Sequence, residues 1–213
     1  KKPLIFTNND SGYETAIEFK KNGVNPLILD TRKEPSSDII SEAKNLGIEI
    51  KFSHVVVAAK GYKKVKSADI AKISDNKKDL SNIENIECDC ICVSGFWTPS
   101  IHLASQSGNK SEFNEKIDAF IPKKSKQKEN TIGSANGKFT LEETINEAFN
   151  KGYEVSNKIT ENNNKVSIPT VVEKKSTEHD KFWCVPLPKG KSYKRFLDFQ
   201  NDVAVTDIEL ALR

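Results

Sequence analysis

One feature near the start narrows the fold more than any other. Pro3-Leu4-Ile5-Phe6-Thr7 is an apolar run of strand length, and Asn8-Asn9-Asp10-Ser11-Gly12 after it is a turn with helix-capping candidates. Tyr13 to Asn22 then reads as a helix, because Tyr13, Ala16, Ile17 and Phe19 include the i, i+3, i+4 spacing of one face. Gly23 is a candidate C-cap, and Pro26-Leu27-Ile28-Leu29 is a second apolar run ended by Asp30-Thr31-Arg32. Strand, turn, helix and strand within about 30 residues is the size of one βαβ unit. The expectation is an α/β protein built on a parallel sheet.

An acid closing the second strand is the position that holds a ribose in dinucleotide-binding folds, where the first turn is Gly-x-Gly-x-x-Gly so that backbone can approach a pyrophosphate. Here that turn is Thr7-Asn8-Asn9-Asp10-Ser11-Gly12, with a single glycine and an added carboxylate. Asp10 is electrostatically wrong for a phosphate, and Asn8 and Asn9 carry side chains where the backbone should be bare. The pattern reads as a dinucleotide fold that has lost its nucleotide, the alternative being a functional variant of the turn.

Downstream, Ser37 to Asn45 predicts a helix ended by Gly47. A strand over Ile48 to Phe52 continues through Ser53 to Ala59, and an antiparallel strand covers Gly61 to Ile70. Asp75 to Asn85 reads as a polar turn region, and Ile86 to Gly95 as a β run. Cys88, Cys90 and Cys92 lie in that run. Alternate strand residues share a face about 7 Å apart, so Cys88 and Cys92 are too distant for one tetrahedral zinc, and buried thiols packing one sheet face are expected. His54, His102 and His179 have no metal-binding or triad spacing, and no nucleophile-elbow, phosphate-loop or C-x-x-C motif occurs. No catalytic residue and no metal site is expected.

The net charge of +3 is small, and only Arg32, Arg195 and Arg213 among the 33 basic residues are arginine. Lysine without arginine or interleaved aromatics does not make a nucleic-acid surface, so no nucleic-acid partner is expected. No apolar stretch approaches the ~18 residues of a membrane span, and four cysteines point to a reducing, cytoplasmic setting. The absence of methionine suggests a piece of a longer polypeptide.

Four segments, in order, carry a more specific resemblance. Cys88-Asp89-Cys90-Ile91-Cys92-Val93-Ser94-Gly95-Phe96-Trp97-Thr98-Pro99 resembles the strand and turn that end the inserted NAD-type domain of two-dinucleotide flavoprotein reductases. Its extension through His102-Leu103 to Ser105-Gln106-Ser107 is similar to a stretch of the alpha subunit of heterotetrameric sarcosine oxidase. The degenerate turn Thr7 to Tyr13, the segment Ile132-Gly133-Ser134-Ala135-Asn136-Gly137 and the stretch Phe196 to Val203 agree with the same family. The departures are Gly12 and Phe96, where the family prefers Ala and Gly, and lysine-rich loops.

The resemblance implies a partial FAD/NAD(P)-binding, two-dinucleotide-domain (Rossmann-like) fold. It implies an inserted degenerate NAD-type βαβ domain over 1–98 and a return to the first dinucleotide-binding domain over 99–157. The polar, charge-mixed stretch Asn157 to Lys181 reads as a linker, and Phe182-Trp183 with Pro186-Leu187-Pro188 as a strip that docks onto a surface, together a linker and docking strip over 158–190. The start of a small helical domain over 191–213 would follow. It further implies an NAD-binding and structural portion of a complex that oxidatively demethylates sarcosine to glycine, giving hydrogen peroxide and methylenetetrahydrofolate. NAD would belong to the alpha subunit, FAD and FMN to the complex, and tetrahydrofolate would be a co-substrate. The partners would be the beta, gamma and delta subunits. The alternative is part of a free-standing flavin- or NAD-dependent reductase.

By that resemblance, Gly133, Ser134, Asn136, Gly137 and Thr140 are the cofactor-binding candidates, at a strand end and helix start that would face a pyrophosphate. Locally, Asn130-Thr131-Ile132 can form a short strand and Thr140 an N-cap. Leu141, Ile145 and Phe149 share a helix face that Gly152 interrupts or ends.

Overall fold

The computed structural model describes residues 1–160, 167–171, 179–191, 194–198 and 200–213. These form two compact units, one made of Lys1–Gly95 with His179–Arg213 and the other of Phe96–Glu178.

The first unit opens with β1 (Pro3–Thr7), α1 (Ser11–Lys21), β2 (Leu27–Asp30), α2 (Asp38–Asn45) and β3 (Glu49–Phe52). The helix α1 ends where Gly23 takes φ 75° and the Val24 N–H reaches back to the Phe19 carbonyl, so the chain can turn directly into β2. A meander of β4 (His54–Gly61), β5 (Val65–Ile73) and β6 (Leu80–Glu87) precedes β7 (Cys90–Ser94). The four parallel strands lie in the order β3-β2-β1-β7, which is the order of half a dinucleotide-binding sheet. The expected α/β, Rossmann-like class is therefore what the strands build.

Alternation along the strands explains the layers, because successive side chains leave opposite faces. Ile5 and Ile28 join Tyr13, Ala16 and Ile17 of α1 and Ile40 and Ala43 of α2 in one core. Their neighbours Leu4 and Leu29 meet Ala68 and Ile70 of the meander, with Cys88, on the other. Full burial of such a Leu or Ile stabilises by roughly 1.5–3 kcal/mol.

The second unit contains α3 (His102–Gln106), the hairpin of β8 (Ser111–Asn114) and β9 (Ala119–Pro122), a 3-10 turn over Gly133–Asn136, and α4 (Leu141–Thr160). Beyond it, β10 (Phe196–Asp198), β11 (Val203–Ala204) and α5 (Val205–Ala211) belong to the first unit.

Several sequence expectations are corrected. Ser53, at φ 53°, breaks the strand expected from Ile48 to Ala59 into β3 and β4, which lie in different sheets. Much of the polar stretch from Asp75 to Asn85 is strand, because β6 is the outer edge of the meander and shows Ser81 to Asn85 to solvent. Asn82 at φ 50° and a register shift between Ile70 and Lys72 blur the two-residue alternation there. The run from Ile86 to Gly95 splits between two sheets at Cys88 and Asp89. Asn130 to Ile132 is not strand, and α4 continues through Gly152 to Thr160. Residues 161–166 and 172–178 of the expected linker, and Phe199 of the last motif, lie outside the described residues.

Candidate functional site

A dinucleotide fold holds its ligand at the carboxyl ends of its parallel strands, in the crevice where strand order reverses. In the first unit β2 leaves β1 on one side and β7 lies on the other, which puts Thr7, Thr31 and Ser94 at that edge.

The edge is filled by its own polar side chains. The Asp30 carboxylate, with its side chain 0% exposed, accepts the Tyr13 hydroxyl at 2.7 Å and the Arg32 N–H at 2.9 Å. The Arg32 guanidinium grips the same carboxylate through Nε at 3.1 Å and Nη2 at 2.8 Å, and its Nη1 lies 2.8 Å from Asp10 Oδ1. Asp10 therefore sits at the pyrophosphate position with a cation of its own. Burial and the neighbouring Asp30 carboxylate push the Tyr13 hydroxyl far above its ordinary pKa. Burial pulls the Arg32 guanidinium down, but Asp30 and Asp10 outweigh it and hold the group charged.

The first turn is equally self-contained. Thr7 Oγ1 donates to the Asn9 carbonyl at 2.8 Å, and Asn9 Oδ1 accepts the Ser11 N–H at 2.9 Å. Asn9 Nδ2 reaches the Ser94 carbonyl at 3.2 Å, and the Ser11 and Ser94 hydroxyls meet at 2.6 Å. Gly12 is needed for closeness rather than phosphate access, since a Cβ there would lie 2.7 Å from Thr7 Cβ. The residues at this edge do not fit a dinucleotide. Arg32 and Tyr13 were missed in the sequence, although Arg32 two positions after the strand-ending acid is a usable signal.

In the second unit the cofactor candidates are brought together at the turn before α4. Gly133 to Asn136 form the 3-10 turn, and Gly137 closes it at φ 76°. Thr140 caps α4 by accepting the Glu143 N–H at 3.1 Å, while its hydroxyl donates to the Glu143 carboxylate at 3.0 Å. Two donors suited to a phosphate already hold an anion: the Gly133 N–H (2.7 Å) and Asn136 Nδ2 (2.7 Å) both point at the Glu147 carboxylate. Glu147, one turn further along α4 than Glu143, gave no signal in the sequence because it sits 14 residues from Gly133. The turn has the tight backbone of an anion cradle, with a side chain of the same unit in it.

The cysteines differ from the expected row of buried thiols. Cys88 is buried, Cys92 half-buried and Cys90 exposed. Cys88 packs with Leu4 and Ala68, and Cys92 against the opposite core, because the chain bends between them. Cys90 and Cys92 stay on one side of β7 with their sulfurs 3.8 Å apart. Burial raises the Cys88 and Cys92 thiols above their ordinary pKa, helped by Asp89 and Cys90 respectively. Among the described residues no group of three or more His, Cys, Asp or Glu is placed to hold a metal ion. No helix among them is long and apolar enough to cross a membrane.

Known proteins now supply the comparison. The sarcosine oxidase subunit alpha of Rhizobium meliloti is 28% identical over 99% of this chain, and that of Corynebacterium sp. (strain U-96) 26% over 97%. The chain resembles the alpha subunit of sarcosine oxidase. It spans about a fifth of the length of these relatives, 20% and 22% respectively. No family model matches. Among solved structures, bacillithiol disulfide reductase from Staphylococcus aureus aligns at 17% identity and TM-score 0.47, covering 65% of this chain and 47% of that one. Thioredoxin reductase of T. acidophilum aligns at 16% identity and TM-score 0.47, covering 64% and 47%.

Proposed function

We propose that this chain is a non-catalytic, structural and NAD-binding portion of a sarcosine-oxidase-like alpha subunit. The observation that carries the reading is the likeness to that subunit along 99% of the chain. The proposed domain plan is a degenerate NAD-type domain over 1–98, a return to the first dinucleotide domain over 99–157, a linker and docking strip over 158–190, and the start of a helical domain over 191–213. In the complex, FAD and FMN would carry two electrons from sarcosine to oxygen, giving glycine and hydrogen peroxide, tetrahydrofolate would take the one-carbon unit, and beta, gamma and delta subunits would be the partners. The setting is cytoplasmic.

The sheet edge of the first unit argues for a scaffold, because its acid, its turn and its arginine are bonded to one another. The NAD contact falls to the second unit, where Gly133, Ser134, Asn136, Gly137 and Thr140 supply a tight backbone and a capped helix start. Glu147 holds that turn in shape. A phosphate there would compete with the Glu147 carboxylate, so these residues are half of a site that needs further donors. Bound NAD would supply only its own redox capacity.

Purification of the longer polypeptide alone and with its partner subunits tests the proposal. The lone polypeptide should show no flavin absorption of its own, and sarcosine-dependent peroxide formation should require the partners. A lone polypeptide that holds flavin and turns over NADH would overturn the reading in favour of a free-standing reductase.

A further inference from the structure

We propose that residues 179–185 are a built-in occupant of the nucleotide edge in the first unit: a length of the protein's own backbone stands where a dinucleotide fold takes its cofactor. The segment joins the edge as an added strand would. His179 pairs antiparallel with Asn9, the Asp180 N–H donates to the Asn8 carbonyl at 2.9 Å, and Asn8 Nδ2 donates to the Asp180 carbonyl at 2.8 Å. Main-chain pairing of this kind is how extended peptides dock on exposed backbone.

The side chains secure it. The Asp180 carboxylate accepts the Thr31 hydroxyl at 3.1 Å, just beyond the end of β2, and forms an ion pair with Lys77. Lys77 also lies 6.0 Å from the Phe182 ring centroid. Phe182 and Val185 pack on the buried cluster of Val55, Ala71 and Ile73. An anion and a backbone thus come from the segment to the ends of β1 and β2, while its flat ring anchors it on the adjoining meander.

What remains open is small. The cavity between the segment and Phe6, Thr7, Asn8, Ser94 and Gly95 measures about 190 Å³, below the roughly 300–1,000 Å³ of ordinary ligand pockets. A nucleotide could enter only by lifting the segment away. The loss of the glycine-rich turn and the presence of the segment are then two sides of one change. Asn8 and Asn9, unsuited to a pyrophosphate, are the residues that pair with Asp180 and His179.

Hydrogen exchange on the 213-residue chain tests this directly. The Asp180 amide should exchange at least about tenfold more slowly than in an unstructured peptide. Asp180→Ala and Phe182→Ala should each remove that protection while Ile28 and Leu29 stay protected, which shows that the sheet remains folded. Asp180→Asn, which keeps a side-chain acceptor for Thr31 but loses the ion pair with Lys77, should give an intermediate rate. A native Asp180 amide exchanging at the peptide rate, or protection unaffected by both alanine variants, would overturn the proposal. NAD is the second probe, at up to about 1 mM. No binding, or binding that exposes the Asp180 amide, supports one shared edge; saturable binding at Asn8–Asp10 with the segment still protected refutes it.

Discussion

Replacing Arg32 by Met is the sharpest test of the closed edge. Its guanidinium is 12% exposed and lies against two carboxylates, one 12% and the other 0% exposed. Removal leaves Asp30 with the Tyr13 hydroxyl and a backbone N–H, and leaves Asp10 without its cation. Breaking a buried ion pair from one side costs about 3–5 kcal/mol, because the orphaned charge stays out of water. That is a large share of the roughly 5–15 kcal/mol that holds a domain folded. With a urea dependence of about 2 kcal/mol per molar, the midpoint of the first unit should fall by about 2 M. Trp183 fluorescence reads that unit, while Trp97 reports the other. Arg32→Lys keeps the charge but not the fork that grips Asp30, so it should lose less. The triple variant Asp10→Asn, Asp30→Asn, Arg32→Met should recover most of the loss, since neutral groups need no counterion. A shift below about 0.5 M for Arg32→Met would show that the cluster is screened by water and refute the reasoning.

Four further outcomes follow from the geometry. Gly12→Ala should cost about 1–3 kcal/mol in chemical unfolding by overpacking β1 against α1; an unchanged midpoint would mean Thr7 moves aside freely. Alkylation by iodoacetamide should be fastest at Cys90 and Cys184, slow at Cys92 and slower at Cys88, with the last two accelerating only at alkaline pH; mass spectrometry showing equal rates at pH 7.5 would contradict their raised thiols. On α4 the Lys151 and Lys158 ammonium groups hold the Glu154 carboxyl at about 2. A depressed carboxyl stabilises above its unfolded value of ~4.3 and loses that contribution as pH falls toward 2, so helicity in wild type should drop over this window more than in Glu154→Gln. Calorimetry should detect no micromolar NAD binding to residues 1–213 alone, because the turn at Gly133 offers few donors that Glu147 does not already hold.

The parallel core was readable because its signals are local. The runs Pro3–Thr7 and Leu27–Asp30, the face of Tyr13, Ala16 and Ile17, and Gly23 all act within a few residues of one another. The degenerate turn was equally visible, since the electrostatic objection to Asp10 needs no partner. Its cure was not, because Arg32 meets Asp10 only once β1 and β2 lie side by side. β6 escaped notice because an edge strand needs no apolar face, and the split at Cys88 because continuous β residues do not say which sheet they join. In the second unit the cap at Thr140 and the helix after it were legible, whereas Glu147 reaches the turn over Gly133 to Gly137 from about two turns into α4, a spacing no local pattern marks.

The placement of β7 also fixes when the sheet can be finished during synthesis. β1 is paired on one side by β2, but its other side waits for Cys90 to Ser94, 87 residues later. At about 5–20 residues per second, the ribosome needs roughly 4–17 s to deliver them. Throughout that interval Pro3-Leu4-Ile5-Phe6-Thr7 presents an apolar strand with a bare row of amides and carbonyls, the surface most prone to pair with a neighbouring nascent chain. The meander must emerge before this gap is closed, so slowing translation between Ser53 and Asp89 should lower soluble yield more than slowing it after Ser94.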